Sequence, residues 1–427
     1  MAEQLFHSIT KDVEDKFMIY NMHGECINSE FRPKHIKKVR ILFVSDHLHS
    51  RGHRAKFTSH FLNNIAIHNS NAIITHYATN KETQMHLNVP VKYPKNTNVI
   101  LKDSSADLVD DLKNTIQVLR PHIVIVYQAD SELKNTLDVL LRHREEEGDD
   151  APRVRFNTWA ICDTYRPMFS SEEVETFNQL EHVFAYTEDW KNNLVNSGVT
   201  AGVSTILPGV DTNIFSGRDK RSTREILRIS QNEFIVVSAN KNKENKRYDI
   251  LIKAFVKFMI RHLEDNIVLS CICEPGEESG WCLGDLFMHE VQNAGLEIEK
   301  YTNRLRVAYQ SSMFTNEEMN MFYGSADVAI SVADNEIYNT FALETMAVGI
   351  PNVLTRIPGN TITNTDETAI FVEAGDIEGA ADALDTLYLN EELRESMRSA
   401  GFKRGREFAW EVGCVNLLDQ IDAVEVE

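Results

Sequence analysis

Residues 328–351 read VAISVADNEIYNTFALETMAVGIP, and the order of these segments decides the fold. VAISVA is a short apolar run of the kind that forms a buried strand, DNEIYN is a polar loop, and TFALETMAV is a run of mostly good helix formers. Asn339 is placed to cap that helix. Gly349 followed by Pro351 stops it, because Gly tolerates the left-handed conformation and Pro cannot continue a helix. Strand, loop and helix in this order form the unit from which parallel sheets covered by helices are built.

Two carboxylates eight positions apart give the unit its chemistry: Glu336 in the loop and Glu344 about one turn into the helix. Helical side chains lean toward the N-terminus, so Glu344 leans back to the end where the N–H groups of Thr340, Phe341 and Ala342 point outward. Those donors and the helix dipole favour a phosphate or diphosphate. Glu344 can then accept hydroxyls of an adjoining ribose and Glu336 those of a sugar beyond it, an arrangement that suits a nucleoside diphosphate sugar. A diphosphate between two carboxylates needs cations close by. They stand after another apolar run, FIVVSA, where Asn240 to Asp249 read NKNKENKRYD and supply Lys241 and Lys246.

Outward from this centre, FIVVSAN, NIVLSCICE, LRVAYQ, VAISVAD, PNVLT and AIFVEA alternate with helix-length segments. YDILIKAFVKFMIRHL carries Leu251, Ala254, Phe255, Phe258 and Met259 on one stripe. The same grammar fills the first half, in VRILFVS, AIITHYA, HIVIVYQ, VRFNTWAI, HVFAYTE and VSTILPG. Continuously apolar strands alternating with helices imply parallel sheets buried on both faces, hence two Rossmann-like domains with ligands at the carboxyl ends of the strands. In the first domain those ends carry DHLHSRGHRAKF, with Gly52 and His53, and the turn after VRFNTWAI, with Asp163. An ordinary surface loop is the alternative at Gly52 and a helix cap or turn aspartate at Asp163.

At 427 residues the chain is long enough for two domains of about 200 each. A formal net charge of −20, from 44 Lys+Arg against 64 Asp+Glu, argues against generic nucleic-acid binding and against docking on anionic lipid. The six cysteines form no Cys-x-x-Cys pair and read as reduced thiols of a cytoplasmic protein, with Cys271 and Cys273 in a core strand. No apolar stretch approaches about 18 residues, so no transmembrane segment is expected. Residues 1–36 read as an appended arm that runs into the basic stretch FRPKHIKKVR (31–40), a solvated face, with a membrane- or partner-contacting patch as the alternative.

The E-x7-E spacing before A-x-G-x-P resembles the signature of retaining GT-B glycosyltransferases of the family 4 type, which includes enzymes of large algal DNA viruses. LPGVDTNIF (207–215) is similar to the family's turn between domains, Lys241 and Lys246 to its Arg and Lys five apart, and FTNEEMNMFYGSADVAIS to its run into the motif. The chain departs from the family at Ile337, Tyr338 and Asn339, where a Gly-Phe-Gly tripeptide is usual. Lys241 stands where Arg is usual, keeping the charge but not the bidentate fork.

The resemblance implies an acceptor domain at 37–208, a donor domain at 217–400, and a C-terminal helical segment at 401–427 crossing back to the first domain. It implies that a nucleotide-diphosphate sugar gives its sugar, with retention, to a hydroxyl of a glycan or glycoconjugate. Lys241, Lys246 and Glu336 would be catalytic. Glu344, Asn240, Asn339, Thr340, Phe341 and Gly52 would bind donor, and Asp163 and His53 acceptor. With no Asp-x-Asp motif and with lysines to neutralise the diphosphate, neither metal nor cofactor is expected. A nucleotide-sugar epimerase or hydrolase, or a non-catalytic nucleotide-sugar-binding protein, is the alternative. A viral member would work in the host cytoplasm.

Overall fold

A computed structural model describes residues 38–424 apart from positions 49–52, 70, 80–92, 95–96, 103–107, 146–154, 164–167, 274–279 and 310–313. The expected arm at 1–36 lies outside the described residues.

The strands are β1 (Arg40–Ser45), β2 (Ile73–Ala78), β3 (Thr97–Leu101), β4 (Ile123–Tyr127), β5 (Asn157–Cys162), β6 (His182–Ala185) and β7 (Gly202–Thr205) in the first half. In the second half they are β8 (Phe234–Ala239), β9 (Ile267–Cys273), β10 (Leu305–Tyr309), β11 (Val328–Ser331), β12 (Asn352–Thr355) and β13 (Ala369–Val372). They form two parallel sheets, ordered β3-β2-β1-β4-β5-β6-β7 and β10-β9-β8-β11-β12-β13. β4, IVIVY, is buried at every position, as a strand covered on both faces must be. β3 is the one described strand outside the apolar runs picked out in the sequence. It is an edge strand with an exposed or half-exposed pattern, in which Ile100 packs against the core while Val99 and Leu101 are exposed. Cys271 and Cys273 are buried thiols inside the second core.

In both sheets the order of winding reverses beside the first strand, between β1 and β4 and between β8 and β11. A crevice opens outside the carboxyl ends at such a reversal. The NKNKENKRYD loop follows β8 and the Glu336 loop follows β11, so the two charged stretches flank one crevice.

The chain crosses between the sheets twice, and the crossings lie together. The Val210 N–H donates to the Phe408 carbonyl at 2.8 Å. A Cβ on Gly209 would stand 2.6 Å from the Trp410 Cα, and one on Gly413 2.0 Å from the Leu207 oxygen, so both sites require glycine for close backbone approach. Beyond this point Trp410, Cys414, Leu417 and Ile421 enter the core of the first sheet. The Trp410 ring meets Phe57 and Phe61 edge-on and stacks on His60 at 4.5 Å. Burial, with Lys56 nearby, lowers the His60 pKa to about 3, which keeps the stacked imidazole neutral.

The C-terminal return is made by two short helices, Trp410–Gly413 and Val415–Asp422. The helix before them runs through position 400 to Glu407 and packs on the motif helix, with Gly401 against Met346 and Gly405 against Ala347. The crossing back therefore begins at Trp410, after that helix ends.

Candidate functional site

The motif helix spans Thr340–Val348 and its ends are built as the sequence implies: Asn339 caps it by accepting from the Ala342 N–H, and Gly349 ends it at φ 83°. One consequence was not legible. Of the three N–H groups expected to face an anion, that of Ala342 is taken by the cap at 3.1 Å, leaving those of Thr340 and Phe341 without a partner among the described residues. Asn339 itself is buried, and its amide donates to Asn360 at 2.8 Å. It therefore shapes the helix start from within, at the lining of the cleft. Its backbone N–H donates to the Gly359 carbonyl at 3.3 Å, and a Cβ on Gly359 would overlap the Glu336 carbonyl at 2.1 Å.

The loops after β8 and β11 are joined directly. The Asp334 N–H donates to the Asn245 carbonyl at 3.0 Å, the Arg247 guanidinium bonds Asp334 at 2.6 Å, and Lys246 is ion-paired with Glu336. Arg247 takes the left-handed conformation, φ 51°, between the one-turn helix Glu244–Lys246 and the helix Tyr248–Arg261, which turns Lys246 toward Glu336. Burial together with Lys241 and Lys243 lowers the Lys246 pKa to about 8. A pKa of about 8 still leaves Lys246 mostly charged at neutral pH. Lys241 is exposed at the rim, while Asn240 is tied to Tyr248, whose hydroxyl donates to the Asn240 carbonyl at 3.1 Å.

The first domain supplies the opposite wall. Gly52 lies outside the described residues, as does the His53 side chain, although His53 opens the helix His53–His68. Asp163 is buried and held by Arg54 of that helix, with Nε and Nη2 at 2.6 and 3.0 Å from its two carboxylate oxygens. The same helix delivers a residue that sequence reading missed. Lys56 is ion-paired with Glu344, whose second oxygen accepts from the Tyr323 hydroxyl at 3.1 Å. The only hint in the sequence was a pair of cations, Arg54 and Lys56, at the start of a helix following a strand.

These groups line one cleft of about 540 Å³, with Lys56, Asp163 and Tyr186 on one side and Lys241, Lys246, Glu336, Thr340 and Glu344 on the other. Its size suits a ligand of nucleotide scale. Cations and helix N–H groups at one end, with carboxylates on either side of them, offer phosphate and hydroxyl recognition together. Among the described residues no group of three His, Cys, Asp or Glu is placed to hold a metal ion. Nor is any described helix long and apolar enough to cross a membrane.

Solved structures share this architecture over nearly the whole chain. Sucrose-phosphate synthase from Thermosynechococcus elongatus is similar with a TM-score of 0.68 at 14% identity, covering 91% of this chain and 100% of that one. Anabaena HepE in complex with UDP is similar with a TM-score of 0.66 at 16% identity, covering 90% and 100%. The fold is GT-B. Residues 219–404, within the second domain, match the model of the family "Glycosyl transferases group 1". Curated relatives include D-inositol 3-phosphate glycosyltransferases of Kribbella flavida, 24% identical over 245 residues, and of Corynebacterium aurimucosum, 26% identical over 231. The matches cover 56% and 53% of this chain, and span 56% and 52%, about half, of those relatives.

Proposed function

We propose that the protein transfers a sugar, a hexose, from a nucleoside diphosphate sugar to an acceptor hydroxyl, with retention of configuration and without a metal. The observation that carries this reading is the pairing of Lys246 with Glu336 beside the open start of the Thr340 helix, at the winding reversal of a group 1 glycosyl transferase domain. The diphosphate takes the N–H groups of Thr340 and Phe341, with Lys241 and Lys246 against its charge. Glu344 accepts the ribose hydroxyls and Glu336 those of the sugar.

In the reaction the bond from the sugar's anomeric carbon to the phosphate oxygen breaks as the bond to the acceptor oxygen forms on the same face. The acceptor's proton passes to the departing phosphate oxygen. The charge that grows on the diphosphate is met by the two lysines and the helix start, fixed in place before the reaction, which is how electrostatic preorganisation lowers a barrier. The acceptor, a glycan, a glycoconjugate or a phosphorylated polyol of the kind that names the relatives, lies toward Asp163 and Arg54.

A thermal-shift screen against UDP-, GDP-, ADP- and dTDP-sugars identifies the donor, since a ligand of the native state raises its melting temperature by mass action. Release of the nucleoside diphosphate only when an acceptor is added then separates transfer from hydrolysis. No shift with any of the four nucleotides contradicts the reading.

A further inference from the structure

Tyr338 lies two residues beyond Glu336, where the family's tripeptide has a phenylalanine with no hydroxyl. Here the hydroxyl is engaged, donating to the backbone carbonyl of Pro208. Pro208 belongs to the Leu207–Val210 segment that leaves the first domain. That segment is itself fixed, by the Val210–Phe408 hydrogen bond and by the close approaches of Gly209 to Trp410 and of Gly413 to Leu207. The phenol thus ties the loop after β11 to the point where the chain crosses between domains.

Within that loop Asn339 and the Glu336 side chain are anchored unequally. Asn339 is held by Gly359, Asn360 and its own capping bond, so the helix start keeps its place without Tyr338. The Glu336 carboxylate, by contrast, is held through Lys246, the same cation assigned to the diphosphate. When a diphosphate draws on Lys246, Glu336 is kept in place by the loop backbone on either side of it: Asp334 bonded to Asn245 and Arg247 before it, and Tyr338 bonded to Pro208 after it, the second being the anchor that reaches the first domain. Ile337, between them, is 37% exposed and adds little packing.

We propose that Tyr338 is a positioning residue for the sugar half of the donor: through Pro208 it sets Glu336 relative to the first domain, so that the bound sugar faces the acceptor side. The inference rests on the glycosyltransferase reading above and adds a residue and a division of labour to it. Loss of the hydroxyl should loosen Glu336 on the side that faces the first domain and leave the diphosphate site intact.

The test compares wild type with Tyr338→Phe in the full chain. Calorimetry is run with four matched pairs: UDP and UDP-glucose, GDP and GDP-mannose, ADP and ADP-glucose, dTDP and dTDP-glucose. For the pair that wild type binds, the variant should bind the bare diphosphate within twofold of wild type. It should bind the nucleotide sugar at least fivefold more weakly, and with an acceptor its kcat should fall at least tenfold. Equal affinity for the nucleotide sugar in both proteins overturns the inference and leaves the functional reading standing. Loss of diphosphate binding as well marks Tyr338 as a general support of the loop and overturns it too. If wild type binds none of the four pairs, the functional reading fails and the inference falls with it.

Discussion

Lys56, on the first described helix of the first domain, is ion-paired with Glu344, 288 residues away on the motif helix of the second. The carboxylate assigned to the donor's ribose is therefore already engaged from across the cleft, and a nucleotide must share or displace that ammonium. Lys56→Met removes the cation and leaves a buried carboxylate with the Tyr323 hydroxyl. Because Lys56 is one-third exposed, the loss of stability without ligand should be about 1–2 kcal/mol, short of the cost of breaking a fully buried pair. Stabilisation by the cognate nucleoside diphosphate should be larger in the variant than in wild type. Melting curves with and without nucleotide check both, and an unchanged melting temperature with unchanged nucleotide response would contradict them.

Lys241→Ala and Lys246→Ala should each lower turnover more than they weaken binding of unreacted donor, since they oppose charge that grows in the transition state. About 2–4 kcal/mol of barrier is the expected order for a group of this kind. Steady-state kinetics with the identified donor, set beside its Kd, decide it. Near-normal kcat in both variants would remove the cationic half of the account.

Burial and the neighbouring lysines lower the Lys246 pKa to about 8. The sign follows from the form that is needed. The cation is present below that pH and is lost as pH rises through it, so kcat/KM should fall above about pH 8 with a slope approaching one decade per pH unit. Bound diphosphate stabilises the charged form, so the fall in kcat should come at higher pH than that in kcat/KM. Lys246→Arg, which keeps its charge throughout, should abolish the fall even at reduced activity. A profile in Lys246→Arg identical to that of wild type would assign the ionisation to another group.

Glu344→Gln should weaken binding of the bare nucleoside diphosphate, whereas Glu336→Gln should leave it nearly unchanged and weaken the nucleotide sugar. Each loss should be about 1–3 kcal/mol if the hydrogen bonds removed are charge-assisted. Competition binding with the diphosphate separates the two, and the reverse pattern would mean that the donor lies the other way round in the cleft.

The architecture was legible where burial leaves a one-sided signature. FIVVSA and IVIVY can only be strands covered on both faces, and YDILIKAFVKFMIRHL declares its buried stripe. β3 was less legible because an edge strand exposed on its surface needs only a short apolar stretch, and the three residues VIL of TNVIL do not tell a strand from a loop. At the site, local chemistry was readable and long-range pairing was not. Asn339 reads as a cap, yet that its cap would use up the Ala342 N–H follows only once the helix start is built. The partnership of Lys56 with Glu344 and that of Tyr338 with Pro208 join segments 288 and 130 positions apart, and no local propensity encodes such contacts.

The central claim is transfer of the sugar itself, and proton NMR of a single reaction tests it most directly by following the donor's anomeric signal with and without acceptor. The account predicts that the donor signal decays only when acceptor is present. A new glycosidic anomeric signal should grow at the same rate, with the donor's configuration. Free sugar appearing without acceptor, interconversion of the donor into an epimer, or a nucleotide sugar that binds and stays unchanged across the acceptor panel would contradict it.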